Sequence, residues 1–128
     1  MVVDTSALMA ILLDEPEAER FGRTVAKAPQ AALSAANYVE FGMLAHTRRN
    51  LSVARIDLVL DRWGVTVVPV SPAQARLAVE AFARYGKGLH PARLNYGGCL
   101  AYALAKERGE PLLFKGGDFS RKDVVPAA

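Results

Sequence analysis

Short apolar runs recur at Met1 to Val3, Ala31 to Leu33, Val65 to Val70, Leu112 to Phe114 and Val124 to Val125, and stretches of helical character separate most of them. Runs of this length bounded by polar residues read as strands. Their alternation with helices predicts an α/β domain with a central parallel sheet of about five strands. Helix starts are signalled by Asp14 or Glu15 before Pro16, Ser34 before Ala35, Ser52 before Val53, and Ser71 before Pro72, because hydroxyl and carboxylate side chains cap free N–H groups and proline suits the first helical position. Gly109 and Pro111 stop the helix that begins near Tyr96. Core-facing stripes are expected at Ile56, Val59, Leu60 and Trp63, and less cleanly at Ala75, Val79, Phe82 and Tyr85. Trp63 at such spacing reads as packing rather than ligand binding.

Asp4 interrupts this pattern. It follows Met1-Val2-Val3 directly and precedes Thr5-Ser6 and a second apolar stretch, Ala7 to Leu13. That order places a carboxylate at the carboxyl end of a strand, where open α/β sheets bind ligands. Asp is also a good helix cap, and this segment alone supports both roles.

The chain's 128 residues make a single domain, 1–128, with no visible linker, repeat or low-complexity tract. A hydrophobic content of 52% and a charged content of 23% are those of a globular protein. The net charge of +3 permits a polyanionic partner without requiring one. Cys99 is the single cysteine, which excludes an intrachain disulfide and a cysteine-based zinc site and fits a reducing compartment. The N-terminus lacks a basic region, and Asp4 breaks its apolar stretch, so it is not a signal peptide; the expectation is a cytoplasmic protein with no membrane association.

Two further acids share the setting of Asp4. Glu40 lies in the second turn of the helix opened by Ser34, beside Phe41, Leu44 and Ala45, and Asp118 follows the strand Leu112-Leu113-Phe114 through Lys115-Gly116-Gly117. Converging carboxylates repel by about 4 kcal/mol per pair at ~4 Å and an effective dielectric near 20, so a cation must compensate them. Hard oxygen ligands without a histidine or cysteine cluster favour Mg²⁺ or Mn²⁺, an ion able to bind a phosphodiester oxygen and activate water.

These residues fall within segments that resemble the PIN-domain family, and within it the VapC-type toxins of toxin–antitoxin pairs. The matching segments are Val3 to Ala7, Ser34 through Glu40, Tyr85-Gly86-Lys87-Gly88 with His90-Pro91, Leu94-Asn95-Tyr96-Gly97 into Cys99, Ala101 to Ala105, and Pro111 to Gly116 into Asp118-Phe119. The resemblance implies a PIN-like fold, a Mg²⁺- or Mn²⁺-dependent endoribonuclease that hydrolyses RNA, a homodimer with a helical interface, and a cognate antitoxin that covers the active site. It makes Asp4, Glu40 and Asp118 the first, second and fourth metal-binding, catalytic acids. Thr5 and Ser6 would be supporting hydroxyls, although helix capping accounts for them equally.

At the third acidic position this chain departs from the family: Gly98 stands where Asp is expected, before Cys99. Glycine in a first helical turn has no evident local reason, since it costs about 1 kcal/mol against alanine in a helix interior. A deliberately inactivated toxin and a natural variant with a degraded site both account for it. Two functions follow from Gly98: an impaired ribonuclease, or a catalytically inactive PIN-fold module that retains antitoxin binding and dimerisation. Lys87, His90 and Arg93 are candidate RNA contacts in an exposed loop. Arg48 and Arg49 read as surface charges, and neither His46 nor His90 has metal-ligand spacing.

Overall fold

The computed structural model describes residues 1–86, 88, 94–116 and 125–128. Among these, the elements run β1 (Val2–Val3), α1 (Thr5–Leu12), α2 (Ala18–Lys27), β2 (Ala31–Ser34), α3 (Ala35–Arg49), α4 (Val53–Arg62), β3 (Val65–Val68), α5 (Pro72–Tyr85), α6 (Tyr96–Arg108) and β4 (Leu112–Leu113). Lys87, His90, Arg93 and Asp118 lie outside the described residues.

The sheet has four parallel strands in the order β3-β2-β1-β4. The fifth expected run shortens to a bridge: the Leu112 N–H donates to Val125 O at 2.8 Å, and the Ala127 N–H donates to Leu112 O at 3.0 Å. Pro126 lies between them and has no N–H for a ladder.

Strand alternation divides the core between the two sheet faces. Val2, Ala32 and Leu112 pack with Ala78 and Ala81 of α5 and Leu100, Ala101 and Leu104 of α6. Val3, Leu33 and Leu113 pack on the other side with Leu8, Phe21, Phe41, Ile56 and Leu60. Helix α6 is buried without a break from Gly97 to Ala105, so it has no polar face over that length. Trp63 joins the second cluster, 6.3 Å from Phe41 between ring centroids, which bears out its packing role.

Three local expectations are corrected. Helix α2 begins at Ala18, beyond Pro16, because Asp14 adopts a left-handed conformation (φ 53°) that turns the chain first. Helix α5 packs through Gln74, Ala78 and Ala81, while Val79 (71% exposed) and Phe82 (42%) face outward. Gln74 Nε2 donates to Glu107 at 2.8 Å, which satisfies half of a buried amide and lets it occupy a core position. Of the apolar face expected beside Glu40, Phe41 and Ala45 are buried as expected and Leu44 alone is exposed; Val39 and Met43 are exposed too, while the polar Asn37 joins the core. No helix among the described residues is long and apolar enough to cross a membrane.

Candidate active site

Every strand of a parallel sheet ends on the same edge, so β1, β2 and β4 deliver the residues that follow them to one side of the molecule. Asp4 follows β1 and caps α1: its Oδ2 accepts the Ser6 N–H at 3.0 Å, and the residue is only 7% exposed. The capping reading of Asp4 is therefore correct, and it coexists with a place in a cleft. That cleft, of about 330 Å³, is lined by Asp4, Thr5 and Ser6 from the first turn of α1, Glu40, Leu44 and Arg48 from α3, Asn95 and Gly98 from the start of α6, and Lys115 after β4.

Glu40 reaches the cleft because β2 ends at Ser34, whose Oγ accepts the Ala36 N–H at 3.3 Å and starts α3 there. A network beneath the cleft ties its walls together. Thr5 Oγ1 donates to Asn37 O at 3.2 Å, and Asn37 Nδ2 donates to Gly97 O at 2.8 Å. Helix α6 opens on Asn95, whose Oδ1 accepts the Gly98 N–H at 2.8 Å. Ser6 Oγ accepts the Lys115 N–H at 2.9 Å, which joins the exit of β4 to the first turn of α1.

The cleft carries opposing charges. Lys115 Nζ pairs with Glu15 at 3.1 Å and Glu17 at 3.4 Å. Its ammonium is held above the usual lysine range, chiefly by the Glu15 hydrogen bond and then by Glu17, against an opposing contribution from desolvation. Arg48 extends from the end of α3, two turns beyond Glu40 on the same face.

Asp4, Glu40, Thr5, Ser6 and Gly98 are thus brought together, while Asp118 lies outside the described residues. Arg48 and Lys115 belong to the cleft and had no assigned site role. The Glu40, Leu44, Arg48 spacing carried a signal for the first; nothing local carried one for the second. A local reason for Gly98 also emerges: a methyl group there would sit 2.6 Å from Leu94 Cδ1 and 3.1 Å from Asn95 Oδ1. Leu94 is 1% exposed, so the bare Cα accommodates a buried side chain.

The described oxygen donors lining the cleft are carboxylate, hydroxyl and amide groups; Met9 supplies the one sulfur among the described lining residues, a thioether, and no thiol or imidazole is among them. Cys99 is buried and lines a different cavity. The oxygen donors fit a hard divalent cation, for which a thioether is a poor ligand, although among the described residues no three His, Cys, Asp or Glu side chains form a metal-holding group.

A family model for the PIN domain matches residues 1–125. Ribonuclease VapC of Mycolicibacterium smegmatis is 50% identical over 126 residues, covering 98% of each chain. Ribonuclease VapC42 of Mycobacterium tuberculosis is 43% identical over 129 aligned positions, covering 99% of this chain and 98% of the relative. The fold is similar to the crystal structure of M. tuberculosis VapC20, described as a Sarcin-Ricin loop cleaving toxin (TM-score 0.73, 23% identity, 97% of this chain and 95% of the other). It is also similar to a chain of a toxin–antitoxin complex from Klebsiella pneumoniae (TM-score 0.75, 20% identity, 99% and 97%). With a family model along nearly its whole length and full-length relatives up to half identical, the chain belongs to the PIN-domain family, among its VapC ribonucleases.

Proposed function

We propose that this chain is a metal-dependent endoribonuclease toxin of the VapC type, neutralised by a cognate antitoxin, with activity weakened because Gly98 stands in the third acidic position. The observation that carries the reading is the meeting of Asp4 and Glu40, from separate elements, in one cleft that Gly98 also lines. The names of the full-length relatives support RNA hydrolysis.

Asp4 and Glu40, with Asp118 from the family resemblance, would hold Mg²⁺ or Mn²⁺, which would supply charge compensation for a phosphodiester and activation of a water. Ser6 Oγ accepts from the Lys115 backbone, and its hydroxyl proton is free to serve as a donor. The Thr5 hydroxyl is committed to Asn37 O and acts as a brace. Arg48 and Lys115 contribute positive charge to the cleft for RNA phosphates, alongside Lys87, His90 and Arg93.

The chain forms a homodimer through the apolar surface of α3, α5 and α6, where Val39, Met43, Val79, Phe82 and Tyr96 are exposed. The antitoxin sets a basic side chain against Asp4 and Glu40, because a carboxylate pair suits bidentate guanidinium binding. The K. pneumoniae complex supports an antitoxin partner.

A second reading, a non-hydrolysing PIN module that only docks antitoxin and a second copy, draws on Gly98. RNA cleavage with Mn²⁺ by the chain, its Asp4→Asn and Glu40→Gln variants, and Gly98→Asp separates the two. Weak cleavage that both carboxylate changes abolish supports the enzyme; no cleavage by any form, Gly98→Asp included, supports the binding module.

A further inference from the structure

Helices α3 and α6 meet where Glu40 faces Gly97. A methyl group on Gly97 would lie 2.5 Å from both carboxylate oxygens of Glu40 and 2.7 Å from its Cδ, and no other atom comes as near. Those separations are far inside van der Waals contact, so the carboxylate occupies the space that any side chain at position 97 would fill. The same residue is anchored from below, where its carbonyl accepts Asn37 Nδ2 at 2.8 Å. Asn37 lies one turn before Glu40 on α3 and is fully buried, so one helix supplies both the carboxylate and the clamp that sets its distance from α6. Asn37 Oδ1 has no hydrogen-bond partner among the described residues. A buried amide with one half unpaired costs stability, so its presence here calls for a reason.

We infer that Gly97 is a positioning residue: its bare Cα is the seat of the Glu40 carboxylate, and the Asn37 clamp beneath fixes the height of that seat. The inference rests on the reading of Glu40 as a metal-binding acid, but its structural part does not need a metal. Gly97 lies in the first turn of α6 without a positive φ, so alanine fits the backbone there. The obstructing atoms are the end of a flexible side chain, which swings aside. Substitution therefore displaces Glu40 and leaves the fold intact.

The test is a cycle of four proteins, wild type, Gly97→Ala, Glu40→Ala and the double variant, melted without metal and titrated with Mn²⁺. In the Glu40→Ala background, Gly97→Ala should raise Tm, because alanine favours the helix and nothing obstructs the methyl group. In the wild-type background the same change should raise Tm less, or lower it. Mn²⁺ affinity of Gly97→Ala should fall about 10–100-fold, the range for loss of a group that orients a ligand, with unchanged circular dichroism. Equal Tm shifts in the two backgrounds, or failure of both Gly97→Ala proteins to fold, would overturn the inference, as would full Mn²⁺ affinity in Gly97→Ala when Glu40→Ala has lost it. If the wild type itself binds no Mn²⁺, the metal reading fails, and the metal-free Tm cycle still decides the role of Gly97.

Discussion

The backbone N–H of Lys115 donates to Ser6 Oγ at 2.9 Å, and the side chain of the same lysine reaches the other way to Glu15 and Glu17. One residue after β4 therefore holds the first turn of α1 by its main chain and the turn after α1 by its side chain. The two attachments differ in kind. The hydrogen bond is partly buried and neutral, whereas the ion pairs are open to solvent and screened by salt.

Ser6→Ala should accordingly cost about 1 kcal/mol, the net contribution of one such hydrogen bond. Lys115→Met, which keeps the backbone donor, should barely change Tm at neutral pH. The raised Lys115 pKa gives the sign of the pH effect. A lysine held above its unfolded value contributes stability that is fully present below about 10.4 and is lost as pH rises through the folded value. Thermal melts of wild type and Lys115→Met should differ slightly from pH 7 to 10 and converge in stronger alkali; a gap that widens there would contradict the ion-pair account.

Asp4 has two roles that one substitution can separate. Asparagine caps helices as well as aspartate does, whereas alanine costs about 1 kcal/mol at such a position. Asp4→Asn should keep its unfolding free energy within about 0.5 kcal/mol of wild type while losing Mn²⁺ binding and any RNA cleavage; Asp4→Ala should lose stability as well. Full cleavage by Asp4→Asn would leave the cap as the residue's only role.

The cleft was legible to the extent that local rules reach it. A carboxylate directly after an apolar run marks a strand end, and parallel strands share their carboxyl edge, so Asp4 could be placed without tertiary information. The α5 stripe misled because Val79 and Phe82 are more apolar than Gln74 and Ala78, yet close approach to α6 selects small residues and a glutamine paired with Glu107. Arg48 and Lys115 reach one cleft from the far end of α3 and the exit of β4, a coincidence set by helix length and sheet order. The reason for Gly98 lies in where Leu94 packs, and spacing does not encode that contact.

Outward-facing Val79 and Phe82 make the dimer proposal specific. Glutamate at either position would bury a charge against a second copy, while in a monomer it would face water. Val79→Glu and Phe82→Glu should sediment as monomers at tens of micromolar, an order-of-magnitude range for a micromolar complex, with Tm unchanged at concentrations where wild type is dissociated. A wild type that is monomeric at tens of micromolar would refute the dimer.

Gly98→Asp sets two effects against each other. The new side chain adds a hard oxygen donor at the start of α6, near Asp4 and Glu40, where the helix dipole also favours negative charge. Its Cβ must displace Leu94 Cδ1 from 2.6 Å, and Leu94 is fully buried. Without metal, the variant should therefore be less stable than wild type, by about 1–3 kcal/mol for overpacking of a filled site, and melt at a lower temperature. With metal the order should reverse: free ion at a hundredfold above its dissociation constant adds about 2.7 kcal/mol to a protein that binds it only when folded. Ribonuclease activity should rise in parallel, and cells expressing the variant without antitoxin should grow poorly. Leu94→Ala combined with Gly98→Asp relieves the crowding and should recover part of the metal-free loss without reducing cleavage. If wild type cleaves RNA as fast as Gly98→Asp across a range of Mg²⁺ concentrations, the third carboxylate is dispensable in this chain, and the packing of Leu94 alone accounts for the glycine.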